Sequence, residues 1–496
     1  MIEPRPTRRQ LLVAAGLTGT HLLLGPAHRA KQLRGAEYRS IERIDVRDLK
    51  GDEEELYREA FKRLQDRGGA DKRSYDYQAR IHTNQCPHGN WWFLPWHRTY
   101  LYYFEQLLQD AVRDLSPPKP PTIPYWNWTE QRKIPPPFLG TYPANRLAHS
   151  PRNFQGLGEG SVGKARITKV VDNAIVFTSF GSARARHDQK RVIVGKSAFE
   201  LAPHDHVHGQ FVRGSMSSTL TSAFDPIFWS HHSNLDRLWS YWLTLPKHNN
   251  PNEDNPRDQP WYTLPLTEFV DTAGNLIKRT VKEIMEDPII QSVVYVPWSG
   301  RGERSFVPVP PKEQPVTPQE HESHEIKART EGTKPPMLRL RMPESLTIPI
   351  EEPFLRRIQS ILAPADAQAA GRGAVQLRLE GLKLPKDPVP AEIRLFLDAP
   401  NAVATTSTKD PHFIDFVPLF FFGAEHGHAE DGMNALLDLT RTLQAIGTAK
   451  TYGPEKPMRV TLVLVPSEPD PGMVELPPVP ENFSVPFSGA TLILED

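Results

Sequence analysis

The stretch NWWFLPWHRTYLYYFEQLL, residues 90–108, decides the fold of the first half of the chain because it predicts a long aromatic helix. We expect this helix to begin near Pro95, since proline is tolerated in the first turn of a helix. Trp96 and Tyr100 are four residues apart, a spacing that buries one helical face. His97 lies in the first turns of the same helix and is a candidate metal ligand.

A second group of potential ligands lies just upstream, in IHTNQCPHGN, residues 81–90. His82, Cys86 and His88 fall on what we expect to be a compact loop, and imidazole and sulfur are ligands that transition metals prefer. Cys86 is the only cysteine of the chain, so no intrachain disulfide can form. We therefore predict one metal half-site made of His82, His88 and His97.

A matching cluster occurs about a hundred residues downstream, in FELAPHDHVH, residues 199–208. His204 and His208 are four residues apart, which places them on one face of a helix begun after the proline before them. The segment FDPIFWSHHSNLDRLWSYW, residues 224–242, predicts another helix. Either His231 or His232 on that helix completes a second half-site.

The composition of the two half-sites indicates the kind of metal. Three imidazoles with no carboxylate or thiolate ligand favour copper or zinc over magnesium, calcium or non-haem iron. A zinc hydrolase would need one three-ligand site and a bound water. Two matched three-histidine sites instead leave room for O2 to bridge two coppers, so we predict a copper pair.

Length and composition agree with a small-molecule enzyme of two domains. The chain has 496 residues, and its 59 Lys and Arg residues balance 59 Asp and Glu residues. This balance provides no electrostatic footprint for nucleic acid or an anionic membrane surface, and a neutral small substrate fits better. The 50 prolines predict short helices on a loop-rich frame.

The first thirty residues have the pattern of a targeting segment. The run TRRQLL, residues 7–12, is followed by a weakly apolar stretch that is short for a membrane span. This pattern resembles a twin-arginine-type signal. We expect residues 1–30 to direct export to the periplasm or the outside of the cell, and the mature form to have no membrane anchor.

The remaining sequence divides into three regions. Residues 38–300 are rich in Trp, Tyr and His and form the expected metal-binding domain. Residues 301–336 are proline-rich and charged, which predicts an exposed linker. Residues 337–496 contain runs that alternate apolar and polar residues, which predicts a C-terminal β-sandwich with one helix near Asn434–Ile446.

Four motifs of the first domain resemble the type 3 copper proteins, which are the tyrosinases, catechol oxidases and molluscan haemocyanins. The motifs are FLPWHRTYL (93–101), PYWNW (124–128), PHDHVH (203–208) and DPIFWSHHSNLDRLW (225–239). The resemblance implies a mainly α catalytic domain, in which a loop-rich four-helix bundle holds two copper ions. It also implies a tyrosinase or polyphenol oxidase that uses O2 to oxidise phenols and catechols to o-quinones.

The same resemblance assigns the ligands of the two coppers. It places His82, His88 and His97 on one copper and His204, His208 and His232 on the other, with His231 as a supporting neighbour. Cys86 resembles the cysteine that many members join to the second ligand, here His88, as a thioether; the alternative is a buried free thiol.

The resemblance further implies a role for two carboxylates. Glu200 matches a glutamate that holds a water as the base for monophenols. Asp205 stands where tyrosinases usually have the asparagine partner of that water. Asp205 is either the base itself or a group that orients His204, the latter leaving an enzyme better at catechols. We expect monophenol hydroxylation to be retained.

Several expectations concern the entrance to the site. Thr219 stands where plant-type members often carry a bulky phenylalanine, so we expect an open entrance, and we expect His206 to be an exposed entrance residue. The C-terminal domain resembles a shield, with the aromatics of residues 415–428 as a possible plug. His426 and His428 either handle copper during loading or belong to a solvated loop.

Two rival functions stay open at this point. The first is a catechol or o-aminophenol oxidase that lacks monophenol hydroxylation. The second, which the expected export signal and the single copper domain disfavour, is a haemocyanin-like O2 carrier.

Overall fold

The computed structural model describes most of the chain from Ile41 to Glu495. The described residues are 41–150, 152, 159–174, 176–184, 190–245, 261–299, 323–330, 336–363, 373–384, 389–419, 432–453, 455–467 and 478–495. The expected signal (residues 1–30), the linker residues 301–322 and residues 420–428 of the expected plug, including His426 and His428, lie outside them. Among the described helices, none combines the length and the apolar character that crossing a membrane requires.

Four main helices build the first part of the chain around a central, almost fully buried helix. They are α1 (Asp52–Asp66), α2 (Tyr75–Gln85), α3 (Phe93–Ala111) and α4 (Ile227–Thr244). The central helix α3 packs against both α1 and α4, and α1 packs against α2. A helix that is buried on nearly all sides lies at the centre of its domain, so the aromatic stretch around His97 organises the bundle.

Local signals explain where the first two helices begin. Four acidic residues fill the first turn of α1, where negative charge stabilises the helix dipole. The hydroxyl of Ser74 accepts a hydrogen bond from the Tyr77 amide and caps α2. The helix α2 continues to Gln85, so His82 lies on its last turn and not on the loop that the sequence predicted. The loop begins at Cys86 and carries His88.

Buried charges of the bundle are paired. Arg98 of α3 donates to Asp236 of α4 at 2.6 Å, and Asp236 also accepts from Arg43 at 3.2 Å. Arg43 in turn donates to Glu105 of α3. Because unpaired buried charges are costly, this network fixes α3 against α4 without contacting the histidine clusters directly.

Between α3 and α4 the described residues form six short segments with α- or π-type turns, besides several 3-10 turns. They span Glu159–Val162, Lys164–Ile167, Thr168–Asp172, Phe177–Gly181, Glu200–Asp205 and Val207–Val212. The last two have wide, π-type turns, and Ala202 interrupts the helical conformation with φ −151° and ψ 111°. The expected helix after Pro203 is therefore present but irregular.

The first part also contains four short strands and one further helix. These are β1 (Glu42–Ile44), β2 (Pro265–Leu266), β3 (Arg279–Thr280), β4 (Val294–Val296) and α5 (Val281–Glu286). The strands β1 and β4 pair in parallel and tie the two ends of this part together.

The second part of the chain is a β-sandwich, as the sequence predicted. Its strands are β5 (Ser323–Lys327), β6 (Arg329–Thr330), β7 (Met337–Arg339), β8 (Pro343–Ile348), β9 (Ala374–Leu382), β10 (Ala391–Leu397), β11 (Phe413–Pro418), β12 (Met433–Asp438), β13 (Met458–Pro466), β14 (Ser484–Pro486) and β15 (Gly489–Glu495). Two helices, α6 (Glu352–Ile361) and α7 (Thr440–Ile446), accompany them.

Two antiparallel sheets enclose one apolar core of the sandwich. The five-stranded sheet has the order β11-β10-β13-β8-β6, and the four-stranded sheet has the order β12-β9-β15-β5. Leucines and isoleucines of both sheets share one buried cluster. The strand β12 lies at the edge of its sheet.

Two details of the expected C-terminal part are wrong. Residues 323–330 form β5 and β6 inside the sandwich and do not belong to a linker. The expected helix near Asn434–Ile446 is a strand followed by a shorter helix. The backbone of the strand pairs with β9, and its side chains alternate between the core of the sandwich, which Leu437 enters, and the opposite face, where Leu436 lies. Leucine-rich runs of this length do not distinguish helix from strand without the pairing partner.

Candidate metal centre

The first three histidines meet where the end of α2 faces the start of α3. His82, His88 and His97 lie with ring centroids 5.5 to 5.8 Å apart, and all three are buried. His82 comes from the last turn of α2, His88 from the loop after it and His97 from the second turn of α3. The sequence expectation that these three residues come together agrees with this geometry.

The second three histidines meet directly beside the first three. His204, His208 and His232 have ring centroids 4.7 to 5.2 Å apart and are buried. The Nε2 atoms of His208 and His232 are 3.1 Å apart. Two ring nitrogens that approach so closely fit two ligands of one ion with metal–nitrogen bonds of about 2.0 Å.

The two clusters are in direct contact. The rings of His97 and His232 stack with centroids 4.4 Å apart, and the rings of His88 and His204 are 5.4 Å apart. Groups of ligand atoms within 4.8 Å of one another also combine residues of both clusters, namely His82, His97 and His232. The residues therefore describe one binuclear site and not two separate ones.

Hydrogen bonds at the Nδ1 atoms orient four of these rings. His82 Nδ1 donates to the carbonyl of Thr219 (3.0 Å), His97 Nδ1 to that of Phe93 (2.7 Å) and His208 Nδ1 to that of Met216 (3.1 Å). His204 Nδ1 donates to the carboxylate of Asp205 at 2.8 Å. With the proton fixed on Nδ1, each Nε2 keeps a lone pair for a metal.

Burial keeps these imidazoles in their metal-binding form. It lowers the pKa of His97 to about 3, and it holds the pKa of His204, His208 and His232 well below the ordinary histidine range. Neighbouring imidazoles lower the pKa of the last three further, because the rings would repel one another if protonated. These four rings are thus neutral at neutral pH.

A hydrogen bond distinguishes His231 from His232. The indole N–H of Trp128 donates to His231 Nδ1 at 3.1 Å. A neutral imidazole with an accepting Nδ1 carries its proton on Nε2, which then has no lone pair for a metal. His232, whose Nε2 faces His208, is favoured as the ligand, in agreement with the assignment that the resemblance implied.

The two expected carboxylates lie beside the site and are fully buried. Both oxygens of Glu200 accept from the Gly89 amide, at 2.8 and 2.9 Å, and the hydroxyl of Ser182 donates to Glu200 as well. Asp205 accepts from Lys196 Nζ at 2.9 Å and from His204. Burial raises the pKa of both carboxyls, and the Lys196 ammonium opposes this rise.

The sequence expectations missed three of these contacts. Lys196, Ser182 and Gly89 hold the carboxylates, but none of them belongs to a motif. The spacing of Lys196 four residues before Glu200 is the one signal that could have indicated an ion pair. Their actual distance is 3.9 Å, and Asp205 is the closer partner of Lys196.

The expected exposure of His206 is wrong. His206 is only 3% exposed, because Phe211 and Phe416 pack on its ring at centroid distances of 5.8 and 6.0 Å. Phe416 belongs to β11 of the sandwich, so the second domain covers this residue. Thr219 is buried as well and holds His82 through its carbonyl.

The sandwich contacts the same region through charged residues. Arg166 forms a 2.6 Å ion pair with Asp415 of β11, and its guanidinium lies over the Phe416 ring at 4.8 Å. Lys169 Nζ is 3.7 Å from Asp415. Leu201, next to Glu200, is buried in the core cluster of the sandwich itself. The two parts of the chain therefore share an interface next to the second histidine cluster.

Comparison with known proteins agrees with this site. Residues 72–189 and 160–245 match the family model described as the common central domain of tyrosinase. The tyrosinase HcTyr1 of Hahella sp. (strain CCB-MM4) is 30% identical over 304 residues, which cover 51% of this chain and 63% of that protein. Aureusidin synthase of Antirrhinum majus is 27% identical over 277 residues, 46% of this chain and 47% of that protein. The chain thus spans about half to three fifths of the length of these curated relatives.

Solved structures share the two-part fold. Latent apple tyrosinase superimposes with a TM-score of 0.65 at 18% identity, covering 93% of this chain and 98% of that one. Latent aurone synthase superimposes with a TM-score of 0.62 at 18% identity, covering 93% and 91%. At this level of identity the likeness establishes the fold alone.

Fold and site together combine a helical bundle that contains two histidine clusters with a C-terminal β-sandwich, an architecture shared with latent apple tyrosinase. Residues 72–245 match the central-domain model of tyrosinase, and about half of the chain is similar to the tyrosinase and polyphenol oxidase family. This is a family of dicopper oxidoreductases, and the two neutral three-imidazole clusters fit a copper pair.

Proposed function

We propose that this chain is a phenol oxidase that couples the oxidation of catechols to the reduction of O2. Two catechols and one O2 would give two o-quinones and two waters. The observation that carries the proposal is the contact of the two neutral histidine clusters, with the His97 and His232 rings stacked at 4.4 Å. This contact fits two metal ions that act on one O2 molecule.

A bound copper pair would supply the binding and reduction of O2. The chain's own residues orient and insulate it. Carbonyls and the Asp205 carboxylate hold the imidazoles in one tautomer, so that no ring has to turn when an ion binds. The aromatic walls formed by Phe93 and Phe228 exclude water from the rings of His204 and His82.

The contacts of Asp205 favour catechols over monophenols as substrates. Hydroxylating a monophenol needs a base that takes up the phenolic proton. Both oxygens of Asp205 already have donors, Lys196 and His204, and Glu200 is held by Gly89 and Ser182. We propose that Asp205 acts mainly by orienting His204, and that catechol oxidation exceeds monophenol hydroxylation.

Oxygen uptake by the copper-loaded chain tests this proposal with a matched substrate pair, 4-methylcatechol and p-cresol. We expect rapid uptake and quinone absorbance with the catechol, and a long lag and slower uptake with the monophenol. Equal rates without a lag would contradict the preference for catechols. Reversible O2 binding with no turnover of either compound would point instead to an O2 carrier.

We propose in addition that Cys86 and His88 are joined by a thioether. Cys86 is buried, and its sulfur belongs to a group of close ligand atoms with His82 and His88. The new bond would join the sulfur to a ring carbon in place of one S–H and one C–H bond, and the two protons and two electrons released would reduce one O2 to hydrogen peroxide at a bound copper pair. It would restrict the rotation of the His88 ring.

Alkylation after denaturation tests the thioether. Burial raises the pKa of the Cys86 thiol to about 12, so a free thiol would resist alkylation in the native protein and react once unfolded. We expect no alkylation even in denaturant, and a peptide mass lower by two hydrogens. Full alkylation of the copper-loaded, oxygen-treated protein would rule the bond out.

We also propose that the sandwich makes the enzyme latent. Phe416 covers His206 next to the second cluster, and the Arg166–Asp415 ion pair holds β11 in place. A protease site introduced into residues 301–322 should raise catechol turnover after cleavage. The same insertion without the protease serves as the control, and unchanged turnover after complete cleavage would contradict latency.

The proposed export signal rests on the twin arginines Arg8 and Arg9. Replacing both with lysine should retain the protein in the cytoplasm, because the twin-arginine route requires the guanidinium pair. Cell fractionation measures this, and an unchanged periplasmic or extracellular fraction would rule this route out.

A further inference from the structure

A short segment, residues 193–197, lies between the sandwich and both histidine clusters. We name it the strap. On one side, the amides of Val194 and Gly195 donate to the carbonyl of Gly89 at 3.0 and 2.9 Å. Gly89 directly follows His88, so the strap is bonded to the loop of the first cluster.

The other side of the strap extends the four-stranded sheet of the sandwich. The Lys196 amide donates to the Asn434 carbonyl at 3.0 Å, and the Lys196 carbonyl accepts from the Leu436 amide at 2.8 Å. These bonds add Lys196 to the free edge of β12 as a parallel bridge with Ala435. Unpaired sheet edges readily recruit an extended segment in this way.

Apolar side chains close the same contact. Leu436 and Ile493 of the sandwich form a small buried cluster with Ala183, and Val194 of the strap packs against it. The side chain of Leu436 therefore faces the strap and not the core of its own sandwich. Backbone pairing and this cluster together fix the position of the Lys196 main chain.

From this fixed main chain, the Lys196 side chain reaches into the metal centre. It is 4% exposed, and its ammonium lies 2.9 Å from Oδ2 of Asp205. The other oxygen, Oδ1, accepts the hydrogen bond from His204 Nδ1 at 2.8 Å. One oxygen of Asp205 is thus held by the strap and the other by a candidate copper ligand.

Lys196 is a more important partner for the carboxylate of Asp205 than for that of Glu200. Glu200 is held by the Gly89 amide and the Ser182 hydroxyl, while Lys196 is 3.9 Å away from it. Lys196 is the only cation that forms an ion pair with Asp205 among the described residues. A buried carboxylate that loses its cation is left uncompensated and must rearrange, and this would disturb the hydrogen bond that orients the His204 ring.

We propose that Lys196 is a positioning residue through which the docked sandwich sets the orientation of His204 and thereby the strength of copper binding. The sandwich then controls the centre in a second way, besides covering its entrance. This inference rests on the proposed copper oxidase function only in that copper must bind; it requires no particular substrate.

Copper retention is the first measurement. The full-length, copper-loaded Lys196→Met protein is compared with Lys196→Arg and with the control Lys169→Met, which removes another lysine that contacts the sandwich. Loss of a group that orients a metal ligand typically weakens metal binding about 10- to 100-fold. We expect Lys196→Met to lose copper to a chelator at least about tenfold faster. Lys196→Arg should be close to wild type, and Lys169→Met unchanged.

The electron paramagnetic resonance spectrum of protein loaded with a single equivalent of Cu(II), in which no second Cu(II) couples to the ion and silences its signal, provides a signature that a loss of stability alone would not change. We expect altered copper hyperfine splitting in Lys196→Met and its recovery in Lys196→Arg. If Lys196→Met does not fold, Lys196→Gln replaces it. Wild-type chelator resistance and an unchanged spectrum in a folded variant would overturn the proposal, whatever the enzyme does with catechols.

A double-mutant cycle tests the role of the sandwich in the intact chain. Leu436→Asp places a charge against the strap, while Val403→Asp, on the exposed surface of the same domain, is its control. We expect Leu436→Asp to speed copper loss in the wild-type background but to add little to Lys196→Met. Fully additive effects would show that the sandwich acts by another route.

A milder variant covers the case in which Leu436→Asp does not fold. In Gly195→Ala the new methyl group would lie 3.3 Å from Leu436 Cβ and 3.5 Å from Ala183 Cβ, which pushes the strap away from β12. The same pattern of non-additivity is expected. A wild-type protein that binds two coppers but turns over no catechol would refute the proposed function while leaving this inference standing.

Discussion

The indole N–H of Trp128 donates a hydrogen bond of 3.1 Å to Nδ1 of His231, and the two residues are 103 positions apart in the chain. Because indole nitrogen is only a donor, this bond places the imidazole proton of His231 on Nε2. The adjacent His232 instead directs its Nε2 toward the second cluster, 3.1 Å from Nε2 of His208. One hydrogen bond to a neighbouring loop thus separates a supporting histidine from a candidate ligand.

Removing either member of this histidine pair should have different effects on copper content. His232→Ala should reduce bound copper from two ions to about one per chain, because the second cluster keeps only two imidazoles. His231→Gln should retain two ions, since its ring contributes a hydrogen bond and packing. Metal analysis of the purified proteins measures this. Loss of copper in His231→Gln with full retention in His232→Ala would reverse the assignment.

The Arg98–Asp236 pair should be important for stability and not for chemistry. Arg98→Met would leave the buried Asp236 with Arg43 and Tyr295 as remaining partners, and we expect a loss of about 3 kcal/mol in the free energy of unfolding. Arg356→Met, which breaks a pair whose side chains are each 66% exposed, should cost at most about 0.5 kcal/mol. Denaturant unfolding compares the two. Equal losses in the free energy of unfolding would contradict the expectation that a buried ion pair contributes more to stability than an exposed one.

The contact between Asp415 and Arg166 should make docking of the sandwich sensitive to acid. Burial alone would raise the pKa of Asp415, but Arg166 and Lys169 outweigh it and hold the pKa below the ordinary value of 3.8. A carboxyl with a lowered pKa stabilises the folded form above its unfolded pKa, and this contribution is lost as the pH falls through the lowered value. Docking should therefore be intact at neutral pH and weaken below about pH 4.

Hydrogen exchange of the β11 amides in the full-length protein measures this docking. In Asp415→Asn, the protection of the β11 amides, relative to the exchange of an unfolded chain at the same pH, should already be lower at neutral pH. It should fall little further in acid. Glu352→Gln, in an exposed pair of the same domain, should behave like wild type. An unchanged exchange rate in Asp415→Asn would exclude the ion pair as a docking contact.

Gly89 should tolerate no side chain. Its φ is +66°, and an added Cβ would lie 2.6 Å from Cγ2 of Ile193 in the strap. We expect Gly89→Ala to lower the free energy of unfolding by roughly 2–4 kcal/mol, from left-handed strain and overpacking combined. Gly447→Ala has the same φ of +66° in the left-handed region but no atom within 4 Å, so it should show the strain alone, roughly 1–2 kcal/mol. Thermal unfolding distinguishes the two, and equal losses would mean that the contact with Ile193 is unimportant.

Local patterns predicted much of this protein because they reflect local physics. The aromatic periodicity around His97 predicted α3 to within two residues of its start, and alternation predicted β9, β10 and β13. The spacing of His204 and His208 predicted their common face. In each case the signal and the structure lie within one element or two adjoining turns, where the period of the backbone relates them directly.

Patterns within one segment did not predict the features that depend on contact between two elements. The run from Asn434 was read as helix because its pairing with β9 is not visible in its own sequence. The exposure of His206 was misjudged because Phe416, more than two hundred residues later, covers it. Residues 323–330 were assigned to a linker although they pair with β15 and β8.

The sequence by itself determined the ligand types, their grouping into two clusters and the two-part architecture, since these follow from residue chemistry and backbone periodicity. Only the tertiary structure decided which nitrogens are free for metal and what holds each ring. Trp128 at His231 and Thr219 at His82 come from distant segments, and Lys196 reaches Asp205, nine residues later, only because the chain folds back on itself. Side-chain hydrogen bonds require atoms within about 3 Å, and only folding brings such segments that close.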